Sequence, residues 1–351
     1  MNLEPYLRLM AEQKASDLYL TTGSPIKIRV QGRILSVGKT ILDVSMIREA
    51  ALGIMPESMI DQFEEKHQAE FALDLNELGR YRVNAFLERS RVAMAIRFIP
   101  KNIPELSTLA LPPLLAELTE LRRGLILVVG ATGAGKSTTL AAMIDHRNTH
   151  HTDHILTIED PIEYVYINRQ SIVNQREIGN DVQDYADALR SALRATPDVI
   201  LIGEIRDQET MTAAIEMAGT GHLTLATLHT SNAHQTLERI LNLYPEYARR
   251  QILTDLAVNL RAIIAQRLVP NLQAKLVAAV EILLNTPHMA DLIRKGDLDG
   301  IREGMEQSVE SGMQTFDMAL HRLYREGVID LQTALGFADS RTNLESKIRF
   351  G

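Results

Sequence analysis

Gly130-Ala131-Thr132-Gly133-Ala134-Gly135-Lys136-Ser137-Thr138 follows the apolar run Leu125-Ile126-Leu127-Val128-Val129 and opens into Thr139-Leu140-Ala141-Ala142-Met143-Ile144. The nine residues fit G-x-x-x-x-G-K-[ST]. Their flanks supply the strand before and the helix after that a phosphate-binding P-loop requires. Glycines let backbone N–H groups converge on a phosphate, and the helix N-terminus adds a favourable dipole. The pattern predicts that residues 130–138 bind ATP. Lys136 would reach the β- and γ-phosphates, and the Ser137 hydroxyl would sit on Mg²⁺.

Composition narrows the setting of this loop. A chain of 351 residues is long enough for two domains, and its 45% apolar content supports a sizeable core. No apolar run approaches the ~18 residues of a bilayer-spanning helix, so no transmembrane segment is expected. Met1-Asn2-Leu3-Glu4-Pro5 has neither the basic nor the apolar region of a signal peptide, and the expectation is a soluble cytoplasmic protein. A net charge of -8 argues against nucleic acid as a partner. Zero cysteines exclude a disulfide framework and a thiolate zinc site.

The first hundred residues read as a small α+β unit. Leu3, Leu7, Met10 and Ala11 recur at nearly helical spacing, and further helices are expected over 43–55 and 56–66. Strands are expected at 18–20, 26–30, 69–73, 80–88 and 93–98, with turns at Gly23-Ser24-Pro25 and Gln31-Gly32-Arg33. Ile99-Pro100-Lys101-Asn102-Ile103-Pro104 and Pro112-Pro113 mark a linker over 99–113, because proline restricts itself and its predecessor. The domains are therefore expected at 1–98 and 114–351. In the second, apolar strands at 125–129, 155–158, 199–202 and 223–228 alternate with helical stretches, which indicates an α/β fold with a parallel sheet. The last hundred residues are expected to be mostly helical.

Three further blocks carry chemistry. Ile155-Leu156-Thr157-Ile158-Glu159-Asp160-Pro161-Ile162-Glu163-Tyr164 is a strand delivering carboxylates Glu159, Asp160 and Glu163 at its C-terminal end, where ligands of open α/β sheets bind. A charged strand cap fits the same residues. Asp198-Val199-Ile200-Leu201-Ile202-Gly203-Glu204-Ile205-Arg206 is an apolar strand ending near an acid, as in P-loop NTPases, but Gly203 stands where the Mg²⁺-holding Asp is usual. Glu204, one residue on, is placed to polarise an attacking water. Gly219 to Asn232 brackets a strand with His222 and His229, seven residues apart and so on opposite faces of a regular strand. That spacing disfavours a shared metal and leaves a catalytic network or a structural role. Asn148-Thr149-His150-His151-Thr152-Asp153-His154 is rich in metal-ligand side chains but reads as a short solvated connection.

In this order the four blocks resemble the Walker A, Asp box, atypical Walker B and His box of the secretion ATPase superfamily. Within it the chain is similar to the PilT/PilU family of type IV pilus retraction ATPases. Ala15-Ser16-Asp17-Leu18-Tyr19, Gly79-Arg80-Tyr81-Arg82-Val83-Asn84 and Gly312-Met313-Gln314-Thr315-Phe316-Asp317 resemble that family's segments elsewhere in the chain. The absent cysteines fit the retraction branch, since extension and type II secretion ATPases usually carry a tetracysteine zinc module. His288-Met289-Ala290-Asp291-Leu292-Ile293-Arg294-Lys295-Gly296 lacks the first half of the usual retraction-motor helix motif, whereas Leu283-Leu284-Asn285-Thr286-Pro287 and Asp291-Leu292-Ile293-Arg294-Lys295-Gly296 resemble the PilU branch.

The resemblance implies a RecA-like P-loop ATPase domain, a smaller N-terminal PAS-like α+β domain and a helical C-terminal region, assembled as a homo-hexamer. It implies that Glu163 serves the Mg²⁺ site, that Glu204 is the catalytic base, and that Arg80, Arg82, Arg97, His222 and His229 sense nucleotide. The implied function is ATP hydrolysis coupled to mechanical work at the pilus base, driving or assisting retraction and hence twitching motility. The implied partners are an inner-membrane platform protein and a paralogous PilT-like ATPase, with the chain cytoplasmic and peripheral at the inner membrane. An alternative is an accessory subunit riding on that paralogue, its own hydrolysis dispensable. An extension or type II secretion ATPase fits less well.

Overall fold

A computed structural model describes residues 1–30, 32–75, 79–99, 102–308 and 312–350. By their internal contacts the residues group into Met1–Asn102 with Glu163–Val165, and Ile103–Ile162 with Tyr166–Gly351. Gln31 of the expected turn and Pro100 and Lys101 of the expected linker lie outside the described residues.

The first unit contains α1 (Glu4–Glu12), β1 (Asp17–Leu20), β2 (Ile26–Val30), β3 (Arg33–Val37), α2 (Val44–Ile54), α3 (Glu57–Lys66), β4 (Gln68–Leu75), β5 (Gly79–Glu88) and β6 (Arg91–Ile99). Its strands form an antiparallel sheet in the order β3-β2-β1-β6-β5-β4. Period-two alternation sorts the side chains into two faces. Leu18, Leu20, Ile28, Phe71, Tyr81, Val83, Met94 and Ile96 go to one, where they pack with Leu7, Met10, Ile47 and Phe63 of the helices. The buried Tyr81 hydroxyl donates to the Leu7 carbonyl at 2.8 Å, which satisfies the one polar atom that ring carries into the core. Sequence reading missed β3, whose residues are nearly all exposed and give no apolar alternation.

The second unit opens with a 3-10 turn at Leu106–Leu109, α4 (Leu114–Thr119), β7 (Gly124–Val129), α5 (Lys136–His150), β8 (His154–Glu159) and β9 (Ile172–Glu177). It continues through α6 (Tyr185–Ala192), β10 (Val199–Ile202), α7 (Gln208–Gly219), β11 (Leu223–Leu228), α8 (Ala233–Asn242), α9 (Glu246–Asn259), β12 (Leu260–Pro270) and β13 (Leu276–Leu284). It closes with α10 (Pro287–Lys295), α11 (Leu298–Gln307), α12 (Phe316–Arg325), α13 (Leu331–Phe337) and α14 (Arg341–Phe350). The sheet order is β13-β12-β7-β11-β10-β8-β9, parallel except for β13. Every residue of β7, β10 and β11 is buried, as expected for strands covered on both faces.

The last hundred residues are mostly helical, and the strand pair at 260–284 is the part that a linear reading did not single out. There β12 pairs in parallel with β7 and β13 returns antiparallel to β12. Ala262-Ile263-Ile264-Ala265 is an apolar run whose period does not separate buried helix from buried strand, and pairing with β7 settles it. The helices α10–α14 form the C-terminal region beyond it.

Candidate nucleotide site

Parallel β7, β8, β10 and β11 all end at the same edge of the sheet, so the loops after them converge. The loop after β7 turns sharply. Gly130 has φ +150°, Gly133 +80° and Gly135 +89°, and Gly135 precedes the first residue of α5. A Cβ on Gly130 would lie 2.6 Å from the Gln266 carbonyl oxygen of β12 and 3.0 Å from the Ala134 Cβ. Gly130→Ala is therefore expected to destabilise the fold by about 1–3 kcal/mol, since backbone must shift. A thermal melt would show it as a lowered midpoint, and an unchanged midpoint would contradict this account of the turn.

Lys136 begins α5 and folds its buried side chain back over the loop. Its Nζ donates to the carbonyls of Gly130 at 2.8 Å and Ala131 at 3.1 Å. Burial lowers the pKa of this ammonium, and the Glu204 carboxylate opposes that shift. A buried cation satisfied by loop carbonyls is poised to exchange those acceptors for phosphate oxygens, which match its charge. Ser137 is exposed in the first turn of the same helix.

Beyond β10 the chain leaves no room for the usual acid. A Cβ on Gly203 would sit 3.0 Å from the Tyr185 hydroxyl, 3.1 Å from the Glu159 Cα and 3.2 Å from the Ile158 carbonyl oxygen. The Gly203 backbone is held from both neighbouring strands. Its N–H donates to Ile158 at 2.7 Å, and its carbonyl accepts from the Thr227 hydroxyl at 2.5 Å. The acidic side chain accordingly comes one residue later, at Glu204.

Glu204 is engaged through both oxygens. Oε2 accepts from Arg206 at 2.8 Å, and Oε1 lies 3.2 Å from His229 Nε2. Arg206 also reaches Asp160 Oδ2 at 3.0 Å. On its other side His229 places Nδ1 3.5 Å from Lys136 Nζ. A neutral His229 protonated on Nε2 satisfies both contacts, donating to Glu204 and turning its Nδ1 lone pair toward the ammonium. Lys136, His229, Glu204, Arg206 and Asp160 thus form one chain of polar contacts beside the P-loop.

The remaining sequence-derived residues fall elsewhere. His222 stands at the opposite end of β11, with Nδ1 3.0 Å from the Met217 carbonyl oxygen and its own carbonyl accepting from Gly124 at 3.0 Å. Six strand residues at ~3.3 Å each separate it from His229, so the fold does not bring the two together. Glu159 is buried, accepting from the Thr157 hydroxyl at 2.6 Å and the Gln175 amide at 3.1 Å, which makes it part of the sheet's own support. Glu163 is exposed on the loop after β8. The histidine-rich stretch ends α5 at His150 and starts β8 at His154. Among the described residues no group of three or more His, Cys, Asp or Glu is arranged to hold a metal.

In the first unit, the polar face of the sheet carries the arginines. Arg82 stands opposite Arg97, Arg97 opposite Asp17, and Asp17 opposite Arg29, so all four share one face. Arg80, two residues before Arg82, shares it too. Arg82 pairs with Glu70, and Arg97 Nε donates to the buried Asp17 carboxylate at 2.9 Å. Sequence reading missed Arg206 and Asp160 as site residues. Both lay in the quoted blocks, and the signal was a carboxylate and a guanidinium at the ends of neighbouring parallel strands.

A glycine-turned loop on a helix N-terminus, a lysine folded back over it and a carboxylate at a neighbouring strand end have the form of a P-loop nucleotide site. The chain belongs to the Type II/IV secretion system protein family, whose model matches residues 2–315. It is 49% identical to the type IV pilus ATPase PilU of Pseudomonas aeruginosa, over 100% of this chain and 92% of that protein. To the type IV pilus retraction ATPase PilT of the same organism it is 37% identical, over 95% and 97%. The crystal structure of the pilus retraction motor PilT with bound ADP matches it with a TM-score of 0.92 at 39% identity, covering 98% of this chain and 99% of that one. The fold is α/β, with a RecA-like P-loop ATPase unit, a smaller PAS-like N-terminal unit and a helical C-terminal region. Among the described residues no helix is long and apolar enough to cross a membrane.

Proposed function

We propose that this protein is an ATP-hydrolysing motor of the type IV pilus machinery, acting as a homo-hexamer that drives or assists pilus retraction. The run Lys136–His229–Glu204–Arg206–Asp160 beside the P-loop carries the reading. The loop N–H groups and Lys136 bind the phosphates of ATP. Glu204 takes the proton of the water that attacks the γ-phosphate, while His229 and Arg206 hold its two oxygens in place. The exposed hydroxyl of Ser137 and carboxylate of Glu163 are hard oxygen donors of the kind Mg²⁺ accepts, and they are the residues assigned to it. When bound, Mg²⁺ neutralises charge that develops on the phosphates.

Arg80, Arg82 and Arg97 are assigned to nucleotide sensing, supported by their concentration on one sheet face. His222 is assigned to the same sensing at the far end of β11. Domains at 1–98 and 114–351, joined by 99–113, convert nucleotide state into movement. The force passes to an inner-membrane platform protein, which this chain meets from the cytoplasm, alone or together with a PilT-like paralogue. Identity to the Pseudomonas ATPases PilU and PilT over nearly the whole chain supports this placement.

Two measurements test it. Purified full-length protein should release phosphate from ATP only with Mg²⁺ present, and failure to do so overturns the enzymatic reading. In cells lacking every other retraction ATPase, this chain should restore pilus retraction. Restoration only when a PilT-type ATPase is also present would assign it the accessory coupling role instead.

A further inference from the structure

Glu281 lies on β13, 6% exposed, outside the polar run that reaches the P-loop. Its Oε1 accepts from the N–H of Ala233, the first residue of α8, at 2.9 Å. Its Oε2 accepts from the N–H of Phe316, the first residue of α12, at 3.4 Å. One carboxylate thus serves two helix N-termini, each of which offers unpaired donors and a favourable dipole. The two helices belong to different parts of the unit. Residue 233 closes the short loop that begins at His229. Phe316 ends the segment Gly312–Phe316, which Gln314 stitches to β13 through Ile282 at 2.8 and 3.1 Å. Both ends of the His229 loop are therefore anchored, one by β11 and the other by Glu281.

We infer that Glu281 is a positioning residue that ties the His229 loop to the first turn of α12, so that the C-terminal helices set the place of His229 between Lys136 and Glu204. The inference rests on the ATPase reading above. The surroundings of Glu281 fit a carboxylate held in tension between charge and burial. A cavity of about 150 Å³ beside it is lined by His234, Asp299, Arg302, Asp317 and Asp339 from α8, α11, α12 and the loop before α14. Arg267 of β12 pairs with Asp339 at 2.6 Å and stacks over Phe316 at 3.9 Å. Burial pushes the Glu281 carboxyl up to about 7, with Asp339 adding to the rise and the N–H groups of Ala233 and Phe316 and the charge of Arg267 opposing it. A folded-state value above the ordinary 4.5 means the stability contribution is full below about 4.5 and lost as pH rises through about 7.

The test is a double-mutant cycle on ATP hydrolysis by the full chain, using Glu281→Gln and His229→Ala. Each single change should lower kcat about tenfold with KM altered less than twofold, and the double variant should also stand near tenfold. Roughly independent effects, near a hundredfold in the double variant, would mean that Glu281 acts on stability alone. A second readout needs no activity. Amide hydrogen exchange over 229–236 and 314–318 should speed at least tenfold in Glu281→Gln, and unchanged exchange overturns the tie. Melting midpoints should converge on the same point, the gap between wild type and Glu281→Gln shifting in favour of glutamine between pH 6 and 8. A wild-type chain without ATPase activity would sink the enzymatic reading, leaving exchange to decide Glu281. Where Glu281→Gln does not fold, Glu281→Asp carries the same cycle.

Discussion

Glu204→Gln is expected to cut ATP turnover at least a hundredfold while leaving nucleotide bound, measured as phosphate release alongside a fluorescent-nucleotide titration. A positioned base contributes about 10²–10⁴ to rate. Glutamine keeps the size of the side chain and its contact to Arg206 but cannot take a proton. The geometry makes the separation of binding from turnover specific, because Glu204 meets His229 and Arg206 and leaves the phosphate loop to Lys136. Near-normal turnover would move the base elsewhere and leave Glu204 an ion-pair partner of Arg206.

Lys136→Ala is expected to fail differently, weakening nucleotide binding and hydrolysis together. In the proposed mechanism the ammonium serves the phosphates in ground and transition states alike, and removing one such electrostatic contact costs about 10²–10³ in rate. Its present partners are neutral carbonyls in a buried place, a poor match for a full charge, and burial lowers its pKa accordingly. The alanine variant should therefore melt no lower than wild type even as it loses function. Loss of folding together with loss of binding would show Lys136 to be a structural strut of the loop instead. Tight binding retained by a well-folded variant would remove it from the phosphate site.

The P-loop was readable from nine consecutive residues because its geometry is local. Gly130, Gly133 and Gly135 adopt positive φ, and the following helix supplies the dipole, all within one short segment. The same holds for the apolar strands β7, β10 and β11, whose complete burial is written as unbroken apolar runs. Where the signal was ambiguous the sequence does not single out the element. β12 and β13 interrupt a mostly helical last hundred residues without a mark of their own, because an apolar run decides between helix and strand only once a neighbour pairs with it. β3 was missed because an exposed edge strand need not alternate.

The linear chain supplies an inventory: a glycine-rich loop with a lysine, carboxylates at strand ends, two histidines flanking one strand and no cysteine for metal. Tertiary structure decided which of these meet. Lys136 and His229 are 93 residues apart in the chain yet 3.5 Å apart in space, because β7 and β11 are neighbours in the sheet. Arg206 finds Asp160 across the β10–β8 pair, and His222 is left at the far end of β11 by the direction in which the strand runs. Gly203 excludes an acid only because Ile158, Glu159 and Tyr185 crowd it from other elements. Glu281 gives no sign of its role in a linear reading, since it sits in an apolar strand and both its partners are backbone N–H groups of distant helices. Local chemistry depends on neighbours in the chain, whereas a site depends on strand order and direction, which only the folded sheet supplies.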